Sequence, residues 1–129
     1  MCRVALVVDR GASQIPTVDI VLGVVDSGAD RTFLPRDTAT RLGIRENELV
    51  VDRSGGIGIE GRSFPTWSST VAISAYVVAG FGLWGPRFTI DPAFSNLSAV
   101  LLGRADFFRA FAITFQEHPA TPVYHLDAA

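Results

Sequence analysis

The most promising chemistry of this sequence lies in residues 24–30, which read VVDSGAD. The valines before Asp26 predict a buried strand, and Ser27-Gly28 predicts a tight loop at its end. An ionised carboxylate left unpaired there would be costly, so it must be hydrogen-bonded, paired or partly protonated. A carboxylate held in this way is a candidate general acid or base. Taken in isolation, a turn or helix-cap Asp is the simpler interpretation.

A second stretch, residues 56–61 (GIGIEG), fits the pattern G-x-G-x-x-G of dinucleotide-binding loops. Such a loop must open a helix whose N-terminus meets the pyrophosphate, and Pro65 stops any helix here within a turn. Interleaved glycines and isoleucines favour a pliable, apolar hairpin tip that closes over an extended ligand. An ordinary glycine-rich hairpin turn is the competing interpretation.

Other catalytic and metal-binding arrangements find little support. His118 and His125 lie in the C-terminal tail without acids at ligand spacing, and no serine stands in G-x-S-x-G. The single cysteine, Cys2, excludes an internal disulfide and a multi-cysteine zinc site. We therefore expect no metal and no cofactor.

Asp26 is thus the main chemical candidate, but one carboxylate cannot act as both general acid and general base in a hydrolytic step. Two copies of the chain meeting at a two-fold axis would place Asp26 against Asp26. Two close carboxylates do not both ionise easily, so they share a proton, as in the dyad of aspartic proteases. One would activate a water and the other would protonate the carbonyl oxygen of the substrate.

The elements that must position these residues are mostly short strands, because β-branched residues dominate and 12 glycines and 7 prolines interrupt them. A helix is predicted from Pro35 to Leu42, ended by Gly43, and a second over residues 103–109. A loop is predicted over residues 80–86. Strands are predicted over residues 3–9, 17–25, 32–34, 49–52, 67–79, 88–90, 112–115 and 123–126, and an apolar run over residues 99–102 leads into the second helix.

These motifs together resemble the retropepsin-like aspartic proteases. Residues 26–29 (DSGA) resemble the first signature of that family, and residues 101–104 (LLGR) resemble the second, at the start of the C-terminal helix. Residues 55–59 resemble the tip of the flap. The three occur in the order of the family and span about residues 15–115. Ala105, which precedes Asp106, departs from the usual pattern, and residues 35–43 match a variant of cellular members.

The resemblance implies a mainly β, closed and barrel-like fold with one or two short helices, completed as a homodimer that hydrolyses peptide bonds. It implies that Asp26 is catalytic and that the Ser27 hydroxyl braces the loop across the two-fold axis. Gly28 would approach the substrate backbone, with Ala29 supporting the loop. Arg104 would pair with Asp30. The flap would place four residues over a peptide or protein substrate: Gly56, Ile57, Gly58 and Ile59.

Composition bounds the remaining alternatives. A length of 129 residues suits a single domain over residues 1–129, and 48% hydrophobic content provides for a core. The formal charge of −2, with scattered basic residues, argues against nucleic-acid binding. No segment approaches a membrane-spanning helix, so we expect a soluble, cytoplasmic protein. A catalytically inactive dimerisation or peptide-binding module of the same fold is the main rival, and an unrelated β-domain is the third alternative.

Overall fold

The chain is mainly β in a computed structural model that describes residues 1–52, 55–57, 61, 63–80, 82–116 and 123–128. Of residues 57, 84, 112–116 and 123–128, the backbone alone is described. The helical elements are α1 (Arg36–Arg41), the 3₁₀-helix η1 (Glu46–Glu48) and α2 (Phe107–Ala110). The strands are β1 (Cys2–Val8), β2 (Thr17–Val25), β3 (Phe33–Pro35), β4 (Leu49–Val51), β5 (Gly56–Ile57), β6 (Ser63–Phe64), β7 (Thr66–Ser69), β8 (Ile73–Ala79), β9 (Gly82–Ile90), β10 (Ala93–Ser95), β11 (Leu101–Leu102), β12 (Phe111–Gln116) and β13 (Val123–Ala128).

Nine of the described strands form one sheet in the order β4-β7-β10-β3-β11-β2-β1-β8-β9. The closed, barrel-like arrangement expected from the sequence is wrong for these strands, because β4 and β9 end the order without pairing to each other. After β9 the chain crosses to the other half of the sheet, where β10 pairs with β3 and β7, and this leaves β9 at an edge. Two further pairs, β5–β6 and β12–β13, form separate two-stranded sheets.

The core is built from alternating inward side chains of the long strands. Val4, Leu6 and Val8 of β1 are each 1% exposed, and they meet the buried residues of β2 and β8. Three phenylalanines extend the core at the C-terminal end, with Phe111 lying 5.4 Å from the ring of Phe88 and 5.2 Å from that of Phe107. Each large apolar side chain buried in this way contributes about 1.5–3 kcal/mol to folding.

Strand β2 has the bounds that the sequence predicts, but it is buried on one face alone. Val21 and Val25 point into the core, whereas Val24, predicted to be buried, is 44% exposed. Successive side chains of a strand point to opposite faces, so the continuous apolar run places every second residue in solvent. Val25, which directly precedes Asp26, therefore points into the core, while Val24 faces solvent.

The first predicted helix forms as α1 but begins one residue later, because Pro35 is the N-cap rather than the first helical residue. Gly43 ends the helix with a φ of 72°, in the left-handed region that glycine adopts without a Cβ penalty. The second predicted helix is shorter than expected, since residues 104–106 form turns and α2 begins at Phe107. Within the described ranges, no helix is long and apolar enough to cross a membrane.

Two predictions for the middle of the chain are wrong. The single strand expected over residues 67–79 is two strands, since Ser69 Oγ accepts the N–H of Val71 at 2.9 Å and donates to Val71 O at 2.8 Å. These bonds turn the chain between β7 and β8. The loop expected over residues 80–86 is largely strand β9, which tolerates Pro86 because it lies at an edge of the described sheet.

Candidate functional site

Asp26 immediately follows β2, and the backbone around it is held by hydrogen bonds. Its N–H donates to Leu102 O at 3.1 Å, and its carbonyl oxygen accepts the N–H of Ala29 at 3.2 Å. The half-buried side chain accepts the N–H of Gly28 at Oδ1, at 2.8 Å. This last bond orients the carboxylate on a tight turn, so the loop presents Asp26 in a defined position.

The two motif stretches, far apart in sequence, lie side by side in the fold. Strand β11 runs parallel to the end of β2, with Leu101 opposite Val24 and Leu102 opposite Val25. Beyond β11, the N–H of Arg104 donates to Ala29 O at 2.9 Å, and that of Ala105 donates to Asp30 O at 2.8 Å. Residues 101–105 therefore hold the whole loop that carries Asp26 through backbone hydrogen bonds.

Gly103 permits this close approach. A Cβ at this position would lie 2.2 Å from Arg31 O and 2.9 Å from Ala29 O, which are both backbone atoms with little freedom to move. The N–H of Gly103 donates to Oγ1 of Thr32, a side chain that is 2% exposed. The glycine of the second motif is thus required by packing against the loop, whatever the chemistry of Asp26.

Asp30 and Arg104 form the ion pair that the resemblance implies, between Asp30 Oδ1 and Arg104 Nη2. Their side chains are 84% and 59% exposed, so solvent screens the attraction and the pair contributes only about 0–1 kcal/mol. Breaking this exposed ion pair would therefore cost less than breaking a buried one. The backbone hydrogen bonds of residues 104 and 105 are the principal tie between the loop and the turn before α2.

The remaining loop residues differ in their surroundings. Ser27 and Gly28 are exposed beside Asp26, whereas Ala29 is 7% exposed and packs beneath the loop. Exposure leaves the Ser27 hydroxyl accessible to a group outside this chain. Burial of Ala29 is consistent with its expected supporting role.

The predicted flap coincides with the short hairpin β5–β6, in which Gly56 pairs with Phe64 and Ile57 with Ser63. The other two flap residues, Gly58 and Ile59, lie outside the described residues. The ring of Phe64 covers Gly56 and lies 6.0 Å from the ring of Phe33 in β3. This aromatic contact packs the hairpin against the strand that follows the Asp26 loop.

Sequence reasoning missed Arg31, the residue at the end of the loop. Its guanidinium lies 3.5 Å from Asp52 Oδ2 and 3.7 Å from Asp91 Oδ1, and it donates to Ser68 Oγ at 3.4 Å. No local pattern could reveal this cluster, because its members come from separate elements. The sequence offered one signal for this cluster, the positive charge of Arg31 directly after the loop of residues 26–30.

Asp106 is a second residue whose setting the sequence did not reveal. Burial raises the pKa of its carboxyl, against the hydrogen bonds that it accepts from the N–H of Asp91 and the side chain of Thr32. Its Oδ1 lies 3.2 Å from the nitrogen of Asp91. Its buried Oδ2 has no hydrogen-bond partner in the part of the chain that the structure describes.

The chemistry open to this site is that of a single oriented carboxylate. Among the described residues, no cation forms an ion pair with Asp26 and no three His, Cys, Asp or Glu side chains cluster as a metal site would require. His118 lies outside the described residues, as does the side chain of His125. One copy of the site therefore offers one acid, held by its own loop.

No family model matches the sequence, and no curated protein matches it significantly.

Proposed function

We propose that the chain is a retropepsin-like aspartic endopeptidase that acts as a homodimer, with one Asp26 from each copy. The observation that carries this proposal is the pairing of the two motifs, in which residues 101–105 hold the Asp26 loop by backbone hydrogen bonds. A half-buried carboxylate at the end of a strand, oriented by the N–H of Gly28, is suited to proton transfer.

In the proposed reaction, a water lies between the two Asp26 carboxylates, which share one proton because both cannot easily be charged at close range. The ionised carboxylate accepts a proton from the water as it attacks the peptide carbonyl. The protonated one donates its proton to the carbonyl oxygen. The rigid loop matters because attack requires the water and both carboxylates at hydrogen-bond distance from the reacting atoms.

Two features support association with a second copy of the chain. Ser27 is exposed beside Asp26, as a hydroxyl that bonds across a two-fold axis must be. The hairpin β12–β13 pairs with none of the other described strands, and an isolated two-stranded sheet is marginally stable in water. Pairing between hairpins of two copies would remove these free edges.

The substrate is proposed to be a peptide in extended conformation, bound between the Asp26 loop and the hairpin β5–β6. An extended peptide exposes backbone donors and acceptors that a hairpin edge can satisfy. Gly56 and Ile57 supply such backbone groups, and Phe64 anchors the hairpin on β3 beside the loop.

The test is a digest of mixed peptides between pH 4 and 7, scored by mass spectrometry, with wild type and Asp26→Asn compared. We expect cleavage by wild type and none by Asp26→Asn. Asp37→Asn is the matched control, because this exposed acid of α1 undergoes the same change of charge away from the loop. It should cleave as wild type does.

Mixing the two proteins tests the dimer directly. If each site needs two Asp26 carboxylates, excess Asp26→Asn should suppress wild-type activity as subunits exchange, and excess Asp37→Asn should not. Equal cleavage by wild type and Asp26→Asn would refute the proposed chemistry. A folded dimer that binds peptides without cutting them would instead be the dimerisation or peptide-binding module of the same fold.

A further inference from the structure

We propose that Arg31 is a positioning residue that sets the hairpin β5–β6 over the Asp26 loop by holding the carboxylate of Asp52. This inference rests on the proposed function for its consequence in catalysis. The physical link between loop and hairpin is testable without any activity.

Arg31 has one end fixed to the loop. Its backbone carbonyl lies against Gly103, close enough that a Cβ there would come within 2.2 Å of the oxygen. The N–H groups of Arg104 and Ala105 also donate to Ala29 O and Asp30 O, directly before Arg31. The base of the Arg31 side chain therefore belongs to the same hydrogen-bonded loop as Asp26.

The other end of Arg31 reaches the strands that lead into and out of the hairpin. Nη1 lies 3.5 Å from Asp52 Oδ2, and Nη2 donates to Ser68 Oγ at 3.4 Å. Asp52 follows β4 on the way into the hairpin, and Ser68 lies in β7 on the way out. Strands β4 and β7 thus form the stem of the hairpin, and one guanidinium contacts both of its sides. The single ammonium group of a lysine could not make both contacts in the same geometry.

Asp52 is built into the stem by three hydrogen bonds. Its Oδ2 accepts from Thr66 Oγ1 at 2.8 Å, its Oδ1 accepts from Ser68 Oγ at 2.7 Å, and its N–H donates to Thr66 O at 2.8 Å. A force applied to this carboxylate by Arg31 is therefore transmitted to both strands. Asp52 is the group through which Arg31 acts on the hairpin.

The burial of the pair distinguishes it from an ordinary surface ion pair. The side chains of Arg31 and Asp52 are 32% and 21% exposed, and Asp30 and Arg104 nearby are 84% and 59% exposed. Partial burial weakens solvent screening, so the attraction between Arg31 and Asp52 is stronger than that between exposed groups. Arg31 also donates to Asp91 O at 3.3 Å, which fixes its direction.

The first experiment is hydrogen exchange on the protein without substrate. In Arg31→Gln, we expect the β5–β6 amides that are hydrogen-bonded across the hairpin to exchange about ten-fold faster, which corresponds to about 1.4 kcal/mol. Amides of the β1–β2–β8 region should be unchanged. Arg31→Lys should restore only part of the protection, and Arg31→Gln should accelerate exchange less in an Asp52→Asn background than in wild type.

Arg41→Gln is the matched control, since it breaks an Arg–Asp pair that joins α1 to β2 at 2.9 Å and does not touch the hairpin. It should leave hairpin exchange unchanged. Equal acceleration throughout the sheet, or none in the hairpin, would overturn the inference.

If the protein cleaves peptides, Arg31→Gln should raise KM about ten-fold with kcat nearly unchanged, because the hairpin binds substrate while the Asp26 loop is intact. A fall in kcat at constant KM would contradict the positioning role, and absence of cleavage by wild type would refute the proposed function while leaving the exchange result standing.

Discussion

The substitution Gly103→Ala tests whether close packing of the second motif holds the Asp26 loop in place. The added Cβ would lie 2.2 Å from Arg31 O and 2.4 Å from Arg31 C, whereas ordinary contacts begin at 3.4 Å. The Cβ would therefore lie about 1.2 Å closer to Arg31 O than an ordinary contact allows, and both of the atoms it meets belong to the backbone. Because no side chain can rotate away, the strand or the loop must move.

The expected cost follows from two opposing effects. Overpacking of this kind costs about 1–3 kcal/mol, whereas replacing glycine restricts the unfolded chain and returns about 0.4–1 kcal/mol. The central values, about 2 and about 0.7 kcal/mol, leave a net loss of unfolding free energy of about 1.3 kcal/mol. Such a loss lowers Tm by roughly 5 °C in a chain of this size. Displacement of the loop should also abolish most peptide cleavage, because the carboxylate loses its position.

The assay is urea unfolding at one fixed protein concentration, since the stability of a dimer depends on concentration. Gly82→Ala is the matched control, because a Cβ at Gly82 would meet no atom of the described residues within 4 Å and its φ is not in the left-handed region. It should be neutral or slightly stabilising. If Gly103→Ala were as stable as Gly82→Ala, the tight approach between residues 31 and 103 would be refuted.

Two further predictions concern pH. Hydrogen bonds from Arg10 and from the N–H of Arg45 lower the pKa of Glu48 from 4.5 to about 2, so its stabilisation is present above pH 4.5 and disappears as pH falls toward 2. Urea unfolding of Glu48→Gln should therefore show a loss of stability at pH 6 that shrinks at pH 3, and a loss independent of pH would contradict this account. Burial raises the pKa of Asp106, so its charged form is disfavoured and stability falls as pH rises through the region above 3.8. Asp106→Asn, which keeps an acceptor for the N–H of Asp91, should gain stability relative to wild type between pH 4 and 7, and a constant difference over that range would refute the assignment.

The sequence by itself determined the local elements around the site. The bounds of β2, the turn after Asp26, the stop of α1 at Gly43 and the hairpin at Gly56 all follow from side-chain pattern and turn chemistry. These features depend on residues close in the chain, whose backbone preferences act in the same way wherever the segment lies.

The tertiary structure alone decided how these elements combine. It placed β11 parallel to β2, divided the predicted strand over residues 67–79, left the sheet open and brought Arg31 to Asp52. Each depends on pairing between distant segments, and propensity within a short window is the same whichever partner a strand finds. The glycine of the second motif illustrates the difference: its position could be read from the chain, but the reason for it, the backbone of Arg31 at van der Waals contact, exists only in the folded molecule.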